Sequence, residues 1–357
     1  MSANKYVRLC VVTAAKSAAR LTVAPRPRCS RRAGAVPAMA DRRRCPSVAI
    51  VIPAYNEERF IGRCLEACLN QTSRPDEIIV VNNRSTDGTA SIVRRYQAGQ
   101  PRTDIRLIDQ NEVQGIAPTR NRGFDDARSD VIGRIDADSV IASDWVQTIR
   151  GRFRDPVIDA ATGPVIYYDM PMRGLFLRID RTVRAWLQFS CKDQRFLLGA
   201  NMAIRASAWR AVRQLTRLDP EDLLHEDIDL AVTLFKNDFE VAYEPTLVAG
   251  MSGRRVECLP REFYRYATRY TRTIRAHGVK SGPARLTVAI LLLGYFPARM
   301  LRFCYDVDKL RFTTTKLRAT LGELTSRAGR DARAQVFKLG GTDPAARPVA
   351  PLRDRAA

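Results

Sequence analysis

Asp136 and Asp138 stand two residues apart at the end of the apolar run Val131-Ile132-Gly133-Arg134-Ile135. In extended backbone, residues i and i+2 face the same side, so both carboxylates aim at one spot just past a strand end. Open α/β sheets bind ligands at that edge. Paired carboxylates facing a nucleotide diphosphate there suit a divalent cation between them. The spacing alone does not single the pair out, because Asp227/Asp229 and Asp306/Asp308 repeat it. Glu226-Asp227 is the second acidic feature. It opens a helical pattern running to about Lys236, where acids are favoured by the helix dipole in any case. Asp229, two positions further along that helix, turns to another face.

The preceding residues form the frame that must position these groups. Val48–Ile52, closed by Pro53, reads as a buried strand and is followed by a helix over 57–70. Strands follow at Glu77–Val81, Ile105–Ile108 and Val131–Ile135, with a helix from about Ile116 to Ala127. The polar turn Asn82–Thr89 can cap the helix after it. Strands alternating with helices in this way predict an α/β fold, a three-layer sandwich around a mostly parallel sheet. Past Asp138 the pattern loosens. Trp145–Phe153 and Leu175–Phe189 read as helices, and Ala160–Tyr168 as a strand. Leu197–Arg205 reads as a strand broken at Gly199-Ala200-Asn201, with short strands at Val241–Tyr243 and Leu247–Ala249 and a basic helix over Glu262–His277. Residues 286–296 form the longest apolar run, bracketed by Arg285 and Arg299 with Pro297 near its end. This run falls short of the ~20 residues of a spanning helix, so no stretch qualifies as a transmembrane span. It suits a buried helix or one lying in a membrane interface.

The chain has 357 residues and a net charge of +21, unevenly placed. Residues 1–46 carry 11 basic groups and one acidic; residues 299–357 carry 13 basic and six acidic. The basicity belongs to the tails. Arginine outnumbers lysine 51 to 8, which suits phosphate or anionic lipid and equally follows from a GC-rich genome. No nucleic-acid reading motif accompanies the charge, so no nucleic-acid partner is expected. Residues 1–46 are poor in acids like a transit peptide, and read as a disordered basic tail; Met39 is an alternative start. The eight cysteines include no Cys-x-x-Cys pair. Cys64 and Cys68 fall on one apolar helical stripe and read as core residues in a reducing compartment.

Several segments together resemble glycosyltransferase family 2, the inverting nucleotide-sugar enzymes of GT-A fold. They are Val51-Ile52-Pro53-Ala54-Tyr55-Asn56-Glu57-Glu58, Val80–Thr89, Gly115–Gly123, the Asp136/Asp138 pair, Gly199–Ala203 and Glu226-Asp227, in the family's order over roughly residues 47–260. The resemblance implies a donor site of Pro53, Tyr55, Glu57, Asn82, Asn83, Arg120, Asp136 and Asp138. Tyr55 would stack on the base. Asn82 and Asn83 stand where relatives carry an aspartate that reads the base, and Arg120 would lie near base and diphosphate. Asp136 would take the ribose side, and Asp138 would hold Mn2+ or Mg2+ as the metal ligand. Inversion needs a base for the acceptor hydroxyl, which the resemblance assigns to Asp227 with Glu226 in reserve. Gly199, Ala200 and Asn201 would line the sugar and acceptor side. Apart from the resemblance, Arg254 and Arg255 after the last short strand suit either a clamp on the departing diphosphate or part of a basic surface.

The expected organisation is a basic tail over 1–46, a GT-A domain over 47–260 (nucleotide half 47–140, acceptor half 141–260), a C-terminal helical extension over 261–335 with potential for membrane association, and a disordered tail over 336–357. The expected partners are a nucleotide-diphosphate sugar, a hydroxyl-bearing acceptor that is a saccharide, lipid-linked or small, and the surface of an anionic membrane. The setting would be cytoplasmic, at the inner face of the membrane, in cell-envelope polysaccharide or glycolipid synthesis. A Gly-x-Gly-x-x-Gly turn after the first strand is missing, which argues against a dinucleotide-dependent dehydrogenase. A nucleotidyltransferase would carry a Gly-rich basic loop there, and Val51–Glu58 has none. A non-catalytic binding protein of this fold would lack one of Asp138 and Asp227. The Gln-x-x-Arg-Trp motif of processive members is also missing, which favours single transfers.

Overall fold

The computed structural model describes residues 45–100, 103–190, 195–306, 309 and 311–313. The expected tails, apart from Cys45 and Pro46, lie outside these residues, as do Asp308 and the end of the helical extension.

Seven strands form the main sheet: β1 (Val48–Ala54), β2 (Glu77–Asn82), β3 (Asp104–Asp109), β4 (Val131–Arg134), β6 (Ala160–Thr162), β8 (Met202–Arg205) and β9 (Val241–Tyr243). Their order is β3-β2-β1-β4-β8-β6-β9. The first four are parallel, and β8 runs antiparallel to both β4 and β6. Helices α1 (Ile61–Leu69), α2 (Thr89–Gly99) and α3 (Ile116–Asp126) make the crossovers. Alternate residues of the central strands serve opposite faces. Ile50, Ile52, Ile78 and Val80 pack with Ile61, Leu65 and Trp145 on one side. Val51, Ile79 and Val81 pack with Phe124, Trp209 and Leu230 on the other. The result is the three-layer arrangement expected from the strand–helix alternation.

The topology brings loops to one edge. Parallel β1, β2, β3 and β4 all end there, and because β8 is antiparallel its preceding turn, Leu198–Asn201, arrives at the same edge. β1 runs two residues beyond the expected stop. Pro53 pairs with Val81, but the register with β4 ends at Val51, so the missing proline N–H costs no ladder bond on that side.

Other expectations are corrected. Ala160–Tyr168 is two strands in different sheets: β6, and β7 (Val165–Tyr167), which joins β5 (Val140–Ile141) and β10 (Ala249–Met251). The break falls at Gly163-Pro164, where a Cβ on Gly163 would lie 1.9 Å from the Leu247 carbonyl oxygen. β10 itself begins two residues later than expected. Helix α4 (Trp145–Arg152) and helix α5 (Arg173–Ser190) stand close to their expected places, and α6 (Ala206–Val212) follows β8 directly.

No break in packing occurs at 260. Ile228 and Val232 of α7 (Glu226–Lys236) share a core with Phe263, Tyr270 and Ile274 of α8 (Pro260–Ala276) and with Ala284, Val288 and Tyr295 of α9 (Gly282–Cys304). The first compact unit accordingly runs to Arg302. α9 also passes through Pro297 and reaches 23 residues, so among the described residues one helix is long and apolar enough to cross a membrane by length and composition, contrary to the sequence reading. In the second unit, from Phe303, β11 (Tyr305–Asp306) pairs with β12 (Arg311–Phe312), which places Asp306 in a small hairpin.

Candidate active site

The loop after β1 is laced to the turn after β2. Asn56 adopts a φ of 53°, and its side-chain oxygen accepts from the Thr86 amide at 2.8 Å. The Glu57 amide donates to Thr89 Oγ1 at 2.8 Å, and Glu58 accepts from the Gly88 amide at 2.8 Å. Tyr55 at the tip is half exposed, with its ring open to a stacking partner.

Asn82 and Asn83 both bond within the protein. Asn82 donates to Asp109 at 2.8 Å and accepts from the Ser85 amide at 3.2 Å. Asn83 is buried; it donates to the carbonyls of Gln110 and Val113 and accepts from the Gly115 amide at 2.8 Å. The two amides hold the three strand-end loops together, and Asn83 has no donor to spare.

Arg120, expected near base and diphosphate, also bonds within the protein. It is fully buried over the rings of Phe124 and Trp209, bonds Asn121, and donates to the Glu226 carbonyl at 2.7 Å. Burial, the largest influence, pulls its pKa down to about 10. It braces the start of α7 from below.

The Asp136–Ser139 turn closes with Ser139 N donating to the Asp136 carbonyl at 2.9 Å. Asp138 is buried in it, and the Tyr168 hydroxyl donates to its carbonyl at 2.9 Å. Its carboxylate lies 3.1 Å from Nε of Arg254, whose Nη2 also pairs with Glu57 while the guanidinium covers the Phe60 ring. Negative charge outweighs positive here. Burial first, and then the neighbouring Asp136, raise the Asp138 carboxyl to about 7 against the pull of Arg254, with Glu57 and Asp169 adding to the rise. Glu57 Oε2 is buried without a hydrogen-bond partner.

Both features favour a bound cation. A carboxyl held partly protonated and an orphaned carboxylate oxygen both call for added positive charge. Among the described residues no group of three or more His, Cys, Asp or Glu side chains is arranged as a metal cage.

Arg134 joins the two acidic features. It is almost fully buried and reaches Asp136 at 3.0 Å with one nitrogen and Glu226 at 2.9 Å with another. Burial pushes Glu226 up, but Arg134 and then Arg120 outweigh it and hold its pKa below the usual value. Gly199 is what allows this, since a Cβ there would lie 1.4 Å from Arg134 Nη1. The Gly199 amide also donates to Asp227 Oδ2 at 2.8 Å, and the Ile228 amide to Oδ1 at 2.8 Å. Burial, followed by the neighbouring Glu226, raises the Asp227 pKa, so this carboxylate gains affinity for a proton. Asp229 faces away and bonds Arg217 and His277.

Ala200 is buried, and Asn201 is fully enclosed. Asn201 accepts from Trp145 Nε1 at 2.8 Å and donates to the carbonyls of Pro164 and Leu247 at 2.9 and 2.7 Å. These bonds pin the Gly163-Pro164 break to the β8 turn. Arg255 is exposed and lies over the Tyr266 ring, which meets His225 edge-on.

Arg134 is not among the site residues expected from the sequence. Its signal is a charged residue inside an apolar strand, two positions before Asp136 and so on the same face.

Comparison with known proteins bears on the family and the fold. Residues 49–215 match the family model of Glycosyl transferase family 2. The chain is 36% identical over 115 residues to the chondroitin synthase of Escherichia coli, covering 32% of this chain and 16% of that protein. It is 33% identical over 104 residues to glycosyltransferase AglE of Haloferax volcanii, covering 29% and 34%. The chain thus spans well under half the length of these curated relatives. A mannosyltransferase of Pyrobaculum calidifontis, solved in complex with GDP-Man and Mn2+, superposes over 96% of this chain and 97% of its own, with a TM-score of 0.54 at 19% identity. The shared fold is GT-A, and the domain carrying the Asp136–Asp138 turn is a member of glycosyltransferase family 2.

Proposed function

We propose that the chain is an inverting transferase that moves a sugar from a nucleotide diphosphate to an acceptor hydroxyl by direct displacement. The observation that carries this reading is Arg134, which ties the Asp136 turn to the Glu226-Asp227 step through one guanidinium. Donor and acceptor groups are thereby held in a fixed relation before substrate arrives. The structural relative solved with GDP-Man and Mn2+ supports a nucleotide-sugar donor and a divalent cation.

In this reading Tyr55 stacks on the base and Asp136 faces the ribose. A divalent cation, Mn2+ or Mg2+, held by Asp138 would neutralise charge on the departing diphosphate. Arg254, already between Glu57 and Asp138, lies where it can pass to the phosphates, and Arg255 can join it from the same turn. The acceptor oxygen attacks the anomeric carbon as Asp227 takes its proton. One carbon–oxygen bond forms, the bond to the diphosphate breaks, and no covalent enzyme intermediate intervenes. Glu226, held as a carboxylate by Arg134 and Arg120, raises the proton affinity of Asp227 and takes no proton itself. Contact with an anionic membrane at its cytoplasmic face belongs to the same reading.

The test is a screen of UDP-, GDP- and dTDP-sugars by titration calorimetry with and without Mn2+. Tightening of at least one of them by Mn2+ is expected. Binding of none by folded protein refutes the proposal.

A further inference from the structure

We infer that the outer face of α9 docks in the plane of an anionic lipid surface. Leu286, Ile290, Leu293, Phe296 and Met300 are spaced by four, three, three and four residues, which puts them on one side of the helix. All five are exposed, Leu293 by 79% and Phe296 by 61%. The opposite side is the packed one: Ala284, Val288 and Tyr295 enter the core shared with α7 and α8. A helix held along its flank by the protein body cannot thread a bilayer by itself, although its 23 residues reach about 35 Å. It can lie flat with its free face sunk among the headgroups.

Charge selects the occupant. From Phe263 to Tyr305 there are eight arginines and lysines and not one Asp or Glu; Arg299 and Arg302 are buried on the packed side of α9 and Arg269 pairs with Asp222, while Arg265 and Arg275 of α8 are exposed. Lys280 and Arg285 are exposed around the start of α9. An acid-free basic segment bearing an apolar stripe matches an anionic bilayer, where basic side chains reach headgroups and the stripe reaches acyl chains. A second copy would bring the same positive field against itself.

The inner face of the same helix holds part of the site. Tyr295 donates to the Cys258 carbonyl at 2.7 Å, and Arg302 pairs with Glu257 at 2.7 Å and Asp169 at 3.0 Å. Asp169 in turn accepts from Ser252 and from the Gly253 amide, both at 2.6 Å. The next residue is Arg254, which touches Glu57 and Asp138. Docking would thus seat the donor turn beside the lipid surface. This rests on the membrane contact proposed above and names the surface that makes it; a test that reads lipid binding alone fails separately from donor binding and sugar transfer.

The test is co-sedimentation of the full chain with vesicles of phosphatidylcholine, alone or with about one third phosphatidylglycerol, comparing wild type with Leu293→Glu/Phe296→Glu. Wild type should sediment with the anionic vesicles and much less with the neutral ones. The double variant should lose at least about tenfold in partitioning while keeping its melting temperature, since both side chains are exposed. Leu293→Cys carrying an environment-sensitive fluorophore should shift to the blue with anionic vesicles. Equal binding by wild type and double variant, no binding by wild type, no shift of the fluorophore, or a wild-type dimer that the double variant dissolves would each overturn the inference.

Discussion

At the scale of single residues, the site is organised by unequal charge. Asp138 is pushed to about 7 and Asp227 is raised, while Glu226 is lowered, although all three are buried or nearly so. The difference lies in the cations each can reach. For Asp138 the sign of the linkage is plain. Its folded pKa exceeds the unfolded value of about 4, so its contribution to stability is fully present below that value and is lost as pH rises through 7. Asp138→Asn should therefore stabilise the ligand-free protein at about pH 8 by roughly 1–4 kcal/mol and have little effect near pH 4. Thermal melts across that range check it. Mn2+-dependent donor binding should also strengthen between about pH 6 and pH 8 as Asp138 ionises, which titration calorimetry can follow. Much of this was legible in the sequence, because acids at a strand end and a helix start stand out by type. What was not legible is where an amide or guanidinium spends its hydrogen bonds. Arg120, Asn83 and Asn201 look like ligand contacts by chemistry, and only their burial shows that they brace loops.

At the scale of elements, the antiparallel entry of β8 matters most. It sets the Leu198–Asn201 turn against the end of β4, where Gly199 must leave room for Arg134 and give its amide to Asp227. Gly199→Ala is expected to destabilise the protein by about 1–3 kcal/mol through overpacking, and to cut turnover by displacing Arg134 and Asp227 together. Melting curves and single-turnover rates measure the two effects. Asn201→Ala should cost more than an ordinary surface change, because it strands Trp145 Nε1 and two carbonyls in the interior. The four parallel strands were readable from their apolar runs and the helices between them. β5, with two residues, is too short to show a period, and the break at Gly163-Pro164 was masked by apolar residues on both sides.

At the scale of the whole molecule, the helices after residue 260 belong with the sheet domain. α8 buries Phe263, Tyr270 and Ile274 in a core that α9 completes. Removal of everything after residue 280 should lower the melting temperature by several degrees, because it uncovers that core as well as deleting a docking face. The 11-residue apolar run suggested a shorter helix, since Pro297 reads as a stop; an exposed proline with a helical continuation to Cys304 gives no warning in sequence. The central claim joins these scales: Asp138 holds the donor through its diphosphate, and Asp227 takes the acceptor proton. It is tested most directly by measuring donor binding with Mn2+ and sugar transfer side by side in Asp138→Ala and Asp227→Asn. Asp138→Ala should lose both, whereas Asp227→Asn should bind donor like wild type and transfer about 100- to 10,000-fold more slowly. Donor binding unchanged in Asp138→Ala, or wild-type transfer by folded Asp227→Asn, would contradict the account.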